Sequence, residues 1–498
     1  MLFLAYISQM TRVSHDMYHA MALFRETLAT GAVPLEDVFA YTPTVSPSVH
    51  HEWGFGAILY FAIEALGTGG LGLMALKYAL IGCVMWCCYE RTRRNGGSWQ
   101  LFATLSLLVF PLVWVGCATI RAQLFTLAFL SILLVLLDRD RRGDRWWLLA
   151  WLPLHCIWLN VHAGFVVGLV AYGFHCLEVL WNEWADHGLS KAIRRNIHLP
   201  LGLMVMIGCT WLNPYGGLYI EYLWEGIRME RPLIVEWLPL WHTYRPGLAL
   251  LAWGITVGLT LYALRQNGIR RSFSCLFVLL AAYMAMKHLR HGSLYAVLWL
   301  AIVPASLQPT SLGRAITRWV SEHRNGVYGF AWKCCVFSLR VMGYYQAWQP
   351  NLTTTAEDTT PLAAGAVEYL ADAGFKGNLM TPFHSGAYVS WKLYPNVKVS
   401  MDGRYEAAYP HGALAETTDF YKARPGWRET LDKYDTDAVL VMANAAVADT
   451  LHTLANSPDN PDGWYATYSD DTYVIFAKQK TGLTPSDRTN ETIVASFP

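Results

Sequence analysis

Up to about residue 346 the chain is a series of apolar blocks, and beyond that point the blocks stop. After an apolar start at Met1–Met10, clear blocks run over Leu71–Tyr89, Leu101–Val115, Leu124–Leu137, Trp146–Leu159, Ala163–Leu180, Leu199–Leu212, Leu248–Leu264, Phe273–Met286 and Leu294–Leu307, with a weaker one over Val327–Tyr345. A helix needs about 20 apolar residues to cross a bilayer. Several blocks are shorter, but flanking Trp, Tyr and Arg extend them into the interface. Only 15% of the 498 residues are charged, against about 25% in an average soluble protein. That pattern excludes disordered, coiled-coil and small disulfide-rich chains. The formal charge of +1 gives no basic surplus, so no nucleic-acid partner is expected.

Basic clusters orient the blocks. They sit at Arg91/Arg93/Arg94, Arg139/Arg141/Arg142/Arg145, Lys191/Arg194/Arg195, Arg265/Arg270/Arg271 and Arg314/Arg318/Arg324. If His51–Leu66 lies along the outer interface, all five clusters fall on the cytoplasmic side, as the positive-inside rule requires; if it spans, all five fall outside. The first arrangement gives about eleven spans, N-terminus in and C-terminus out. Met1–Met10 is too short to span alone and lacks a basic leader and a cleavage site. It reads as the outer part of a first helix that begins before this Met, or as a surface-lying end.

With this topology, the ionisable residues outside the Arg clusters gather on the outer side. The first outer loop holds His15, Asp16, Glu36, Asp37, His50, His51 and Glu52. Later turns hold Arg121 and Gln123, then Asn160 and His162. The stretch Asn213 to Arg245 holds Asn213, Tyr215, Glu221, Glu236, Trp237 and His242, and the last turn holds Lys287, His288, Arg290 and His291. Loop polarity alone accounts for Glu36 or His242. It accounts less well for Asn160/His162 or His288/Arg290/His291, whose turns are otherwise apolar, and ionisable groups at membrane depth are functional candidates by default. Asp16 is a carboxylate able to take a proton from a hydroxyl. Arg121 and Arg290 have the fork that matches phosphate oxygens. A divalent metal on His51, Glu52 and His162 is conceivable, although no ligand spacing supports it.

From about Asn351 the chain reads as soluble. Helix signals cover Ala364–Ala373 with Gly374 as a stop, and short strands cover Gly377–Thr381 and Val397–Met401. Asp419–Tyr434 reads helical around Pro425-Gly426, Ala438–Val441 reads as a buried strand and Ala445–Ala455 as a helix. A hairpin pairs Trp464–Tyr468 with Thr472–Ala477. No GxGxxG or phosphate loop is present. All ten cysteines precede this region, so it holds no disulfide, and Cys87-Cys88 and Cys334-Cys335 read as core packing in helices. The turn Asp402-Gly403-Arg404 either closes on itself through a local Asp–Arg pair or belongs to a loop folding over the membrane site. The expected organisation is a polytopic α-helical membrane domain over 1–346 with external loops 11–70 and 213–245. A linker over 347–360, a small external α/β domain over 361–480 and a flexible tail over 481–498 follow it.

Five motifs in this order resemble those of bacterial multi-pass membrane proteins placed near the lipid-linked-sugar (GT-C) glycosyltransferases and the protein mannosyltransferase-like group. They are His15-Asp16 … Gly31-Ala-Val-Pro34 … Asp37-Val-Phe-Ala-Tyr-Thr42 … His51-Glu52-Trp53; Arg121-Ala-Gln-Leu-Phe; Asn160-Val-His-Ala-Gly-Phe; Leu212-Asn-Pro-Tyr-Gly-Gly; and Gly386-Ala-Tyr-Val … Met401-Asp-Gly-Arg404. The resemblance implies a polyprenyl-phosphate sugar donor and an acidic catalytic base in the first external loop, a position that Asp16 fills. The acidic doublet of some members is absent, since Met17 follows Asp16. Asp37, in Pro34-Leu-Glu-Asp37, reads as a turn former instead.

The expected function is inverting transfer of a sugar to a glycan, lipid or protein acceptor on the outer face of a bacterial inner membrane. Asp16 is the base. His51, Glu52, Arg121, Gln123, Asn160, His162, Asn213, Tyr215, Arg290, His291, Asp402 and Arg404 are the candidate substrate-binding residues. The sequence specifies no cofactor, and a divalent metal is the one candidate. The alternative is a non-enzymatic envelope scaffold or polysaccharide-binding membrane protein. A transporter fits less well, because acidic residues within the spans are few and inverted repeats are not evident. Asn351-Leu-Thr and Asn490-Glu-Thr match glycosylation sequons, which matter only in a eukaryotic lumen.

Overall fold

The computed structural model describes residues 11–229, 231, 234–242, 246–352, 361–404, 408–491 and 497–498. The expectation for Met1–Met10 lies outside these residues, as do most of the 347–360 linker and Glu406. The described chain separates into two compact units. One is Leu71–Gln349, and the other joins Arg12–Gly70 to Pro350–Pro498.

The first unit is all helix. Four helices are long and apolar enough to cross a membrane: Gly69–Arg94, Ala122–Asp140, Phe165–His187 and Pro246–Asn267. A fifth candidate, Leu289–Leu307, continues into Ser311–Glu322 through a 91° bend. These helices mark the chain as an integral membrane protein. Eleven spans remain an expectation, because several apolar blocks form shorter helices. Leu101–Val115 is divided into Trp99–Leu108 and Phe110–Cys117, with Pro111 at the start of the second piece. Proline has no N–H to give to the preceding turn, so the break falls there. The helical core is rich in aromatics. Trp147, Trp151, Trp158 and Trp299 are fully buried, and the Trp299 indole donates to Thr256 and Thr260. The nine cysteines with described side chains are all unpaired, and Cys87 and Cys88 are buried.

All five basic clusters meet at one end of this unit. Arg91 lies 3.6 Å from Asp138, and Arg141 lies 2.5 Å from Glu178. Arg145 Nη1 lies 2.8 Å from His198, and Arg270 donates to Asn182 at 3.1 Å. Ser98 bonds Thr317 beside Arg318 at 3.1 Å. Arg121, His162, Asn213 and Arg290 stand at the far ends of helices that begin or finish among these clusters.

The second unit is an α/β domain. Its strands are β1 (Gly377–Met380), β2 (Val397–Val399), β3 (Ala438–Met442), β4 (Trp464–Ser469), β5 (Tyr473–Lys478) and β6 (Ser486–Asp487), in the order β2-β1-β3-β5-β4-β6. β1 is parallel to β2 and β3, and β5 runs antiparallel to β3 and β4. The apolar run of β3 is buried along its first four residues, as a central strand requires. Two expectations are corrected here. Residues 481–498 are not simply a tail, because β6 pairs with β4. Residues 11–70 are more than a loop of the helical domain. Phe39 and Tyr41 exchange backbone hydrogen bonds with Val399 at 2.9 and 3.0 Å, adding an extended segment to the β2 edge. His51–Leu66 forms the helix Trp53–Tyr60 and a following π turn to Ala65. Thirteen residues reach about 20 Å, short of a bilayer core of about 30 Å.

Candidate functional site

In the α/β unit, the helix Asp16–Thr30 carries the candidate base in its first turn and ends on Gly31, which takes a left-handed conformation. Two close approaches position it. A Cβ on Gly56 would overlap the Ala20 carbonyl, so Trp53–Tyr60 packs directly against this helix. A Cβ on Gly386 would likewise overlap the Met401 carbonyl, which holds the helix Gly386–Leu393 against the Asp402-Gly403-Arg404 turn. The Asp16 carboxylate comes beside that turn, 3.7 Å from where a Cβ on Gly403 would lie.

The turn is built on Arg404. Its Nε donates to both Asp402 oxygens at 2.8 and 3.0 Å, and Nη2 donates to Oδ2 at 2.7 Å. Nη1 pairs with Asp37 from the first loop, and Nη2 reaches the Tyr409 hydroxyl at 3.4 Å. Asp37 also accepts from the backbone N–H groups of Phe39 and Ala40 at 3.0 and 2.7 Å. All three charged side chains are nearly excluded from solvent. Burial pushes the Asp402 carboxyl up, but the Arg404 charge and hydrogen bonds outweigh it and hold the group below the usual carboxylate range. Burial pulls the other way on Arg404, and its two carboxylates raise it further above its ordinary value. The local Asp402–Arg404 pair read from the sequence is present, and Asp37 is its third member.

Among the histidines of the same unit, His19 and His50 feel the charges of this brace. His19 lies one turn after Asp16; its Nδ1 is sealed from solvent and has no hydrogen-bond partner among the described residues. Burial lowers its pKa against the opposing pull of Asp402 and Asp16. The rings of His15 and His384 lie 5.9 Å apart. His51 lies 3.4 Å from Glu52, both about a quarter exposed. Burial, reinforced by the Arg404 charge, pushes His50 down from its ordinary 6.5 to about 3.

The His50 shift has a consequence for stability. Between pH 6.5 and about 3 the unfolded chain binds a proton at this position and the folded chain does not. The stabilisation from neutral His50 is therefore complete above pH 6.5 and is lost progressively as pH falls. Thermal midpoints of the full chain measured from pH 7.5 to 4.5 should decline, and the decline should be shallower in His50→Gln. An unchanged slope in that variant would assign the loss to other groups.

In the helical unit, the end away from the basic clusters carries the other candidates. Arg121 pairs with Glu236, and Gln123 donates to the Arg290 carbonyl at 2.6 Å and to Ser293 at 3.3 Å. The guanidiniums of Arg231 and Arg290 lie 4.2 and 4.7 Å from the Trp237 ring centre. His288 Nδ1 lies 2.8 Å from the Trp237 carbonyl, so that nitrogen carries the proton, and the His291 ring is 5.6 Å away. His162 Nδ1 accepts from the Gly164 N–H at 3.1 Å and bonds Thr126 at 2.7 Å, which leaves the hydrogen of the neutral ring on Nε2. Asn213 donates to Asn160 at 3.2 Å and accepts from the Tyr215 N–H at 3.0 Å. Asn160 in turn donates to the Cys156 and Leu212 carbonyls, so these two asparagines tie helix ends together.

Sequence reasoning gave no role to His19, Tyr409 or Arg231. The spacing of Asp16 and His19, which puts them on one helix face, was a usable signal. Tyr409 and Arg231 carried none, since their partners are set by tertiary packing. Among the described residues, no group of three or more His, Cys, Asp and Glu side chains is arranged to hold a metal ion.

The architecture is thus that of a helical membrane protein with a smaller α/β unit. No family model matches the chain, and no curated protein matches it. Among solved structures, the fold is similar to that of the archaeal oligosaccharyltransferase AglB from Archaeoglobus fulgidus, captured with an inhibitory peptide and a dolichol-phosphate. The TM-score is 0.56 at 12% identity, covering 94% of this chain and 72% of that one. At that identity the likeness is one of fold.

Proposed function

We propose that this protein is a membrane glycosyltransferase that moves a sugar from a polyprenyl-phosphate donor to an acceptor on the outer face of a bacterial inner membrane, with inversion. The fold likeness extends over nearly the whole chain, to a protein whose structure holds a dolichol-phosphate and a peptide. The observation that carries the reading is Asp16. It is a carboxylate in the first turn of its helix, partly exposed and beside the Asp402-Gly403-Arg404 turn.

In this reading, Asp16 accepts the acceptor's proton as its oxygen bonds the anomeric carbon. The bond from that carbon to the phosphate oxygen breaks, and polyprenyl phosphate leaves. Arg121 and Arg290 neutralise the phosphate, and their contacts with Glu236 and Trp237 keep them oriented before the donor arrives. Gln123, His162, His291, His51 and Glu52 orient the sugar or acceptor. Asn160, Asn213, Tyr215, Asp402 and Arg404 act as positioning residues.

The test is reconstitution in liposomes with a labelled polyprenyl-phosphate sugar. Release of polyprenyl phosphate that depends on Arg290, falling at least tenfold in Arg290→Gln, supports the assignment. If no polyprenyl-phosphate sugar is turned over or shifts the thermal midpoint, the protein is an envelope scaffold instead.

A further inference from the structure

The basic end of the helical unit contains an open basin of about 490 Å³ lined by Glu90, Arg93, Arg94, Arg139, Arg142 and Asp144. It forms where Gly69–Arg94 and Ala122–Asp140 end side by side, tied by a 2.7 Å hydrogen bond from Asn95 to Asp138. Four guanidiniums face two carboxylates, and arginine does not lose its charge. We propose that this basin binds the phosphate of an anionic phospholipid headgroup.

Three observations carry the proposal. First, the four arginines are exposed to solvent, yet each has a carboxylate or carbonyl oxygen within 4 Å. Glu90 is nearly buried and accepts two 3.0 Å hydrogen bonds from Arg93 and one from the Arg94 Nε. The Arg142 Nε donates to the Asp138 carbonyl at 3.2 Å, and the Arg139 Nε lies 3.8 Å from Asp144. Second, the Nη groups of Arg94, Arg139 and Arg142 have no hydrogen-bond partner among the described residues, so each retains donors matched to phosphate oxygens. Third, exposed tryptophans stand close by in sequence. Trp86 precedes Arg93 by two turns of the same helix, and Trp146 follows Asp144 by two residues; they are 64% and 77% exposed. Indoles prefer the headgroup level of a bilayer, so they set the depth of the basin.

Orientation of the helices needs only a surplus of Lys and Arg, and charge at the helix C-termini needs only one cation near each. Neither explains why four arginines line one basin. A zwitterionic choline headgroup brings its own cation into a site with surplus positive charge, so anionic lipid is the better fit.

The experiment is native mass spectrometry of the full-length protein exchanged into nanodiscs of phosphatidylcholine with 10% phosphatidylglycerol, then released into detergent. Wild type should retain phosphatidylglycerol above its share of the bilayer. Arg139→Gln/Arg142→Gln should reduce that occupancy by about tenfold or more, while the control pair Arg194→Gln/Arg195→Gln at the same end should not change it. If the Gln pair does not fold, Arg139→Lys/Arg142→Lys replaces it, keeping charge but losing the fork; a severalfold loss is then expected. Equal losses in basin and control variants would reduce the effect to general surface potential and overturn the site. Displacement of the lipid by sn-glycerol 3-phosphate or inorganic phosphate at equal concentration would assign the basin to a soluble phosphate and overturn the lipid assignment.

Discussion

Replacing Arg404 with Met should destabilise the α/β unit by about 3–5 kcal/mol, the cost of leaving buried carboxylates without their cation. Arg404 is 3% exposed, and its partners Asp37 and Asp402 are fully enclosed. Burying these three charges is costly in itself, so the intact brace gives little net stabilisation. The expected loss comes from removing one partner and keeping the others. Chemical denaturation of the full chain, with trypsin cleavage of the α/β unit as the readout, measures it. Arg404→Lys should recover little, because a lysine cannot reproduce the forked contact with Asp402 or reach Asp37 at the same time. Arg404→Met combined with Asp402→Asn should recover part of the loss, because one uncompensated charge is removed. A single-variant loss below about 1 kcal/mol, the scale of an exposed pair, would mean that water reaches the brace.

Asp16→Asn should abolish transfer and leave the fold intact. A positioned general base contributes about 10²–10⁴-fold, so turnover should fall by at least the lower figure. Removing a negative charge from the first turn of a helix costs about 0.3–1 kcal/mol, so a loss of stability on that scale is expected. The two effects are separable, and that separation is the test. Asp16→Glu keeps the carboxylate and moves it by one methylene, so it should retain more activity than Asp16→Asn. Full transfer by purified Asp16→Asn would remove this residue from the reaction. A large loss of stability in the same variant would instead place Asp16 among the structural carboxylates with Asp37 and Asp402.

The three aspartates of this unit have different surroundings. Asp37, in a segment that reads as a turn former, accepts from the Phe39 and Ala40 N–H groups. The sequence reading left Asp402 and Arg404 open between a local pair and a substrate loop, and their geometry is that of a pair. Nothing near Asp37 in sequence announces Arg404, which lies 367 residues away. His19 was legible in the sequence through its spacing from Asp16, which puts both on one helix face. Asn160 and Asn213 stood out in apolar turns, and they bond each other across 53 residues. A polar residue at a helix end is conspicuous in sequence whether it binds a ligand or a neighbouring backbone, so conspicuousness alone does not separate the two.

Hydrophobic patterning and charge are local properties, and what they encode was readable directly. The apolar blocks became helices, the five basic clusters were recognised as one set, and the strands β1 to β5 follow the short apolar runs of the C-terminal region. Block length did not translate into span length, because a single proline divides Leu101–Val115 and a sharp bend follows Leu307. Only the tertiary structure decided that residues 12–70 fold with the C-terminal sheet, that Arg404 has two carboxylates, and that four arginines share one basin. Each of these depends on groups far apart in the chain being desolvated together, and no local pattern records which distant charge will be buried beside which.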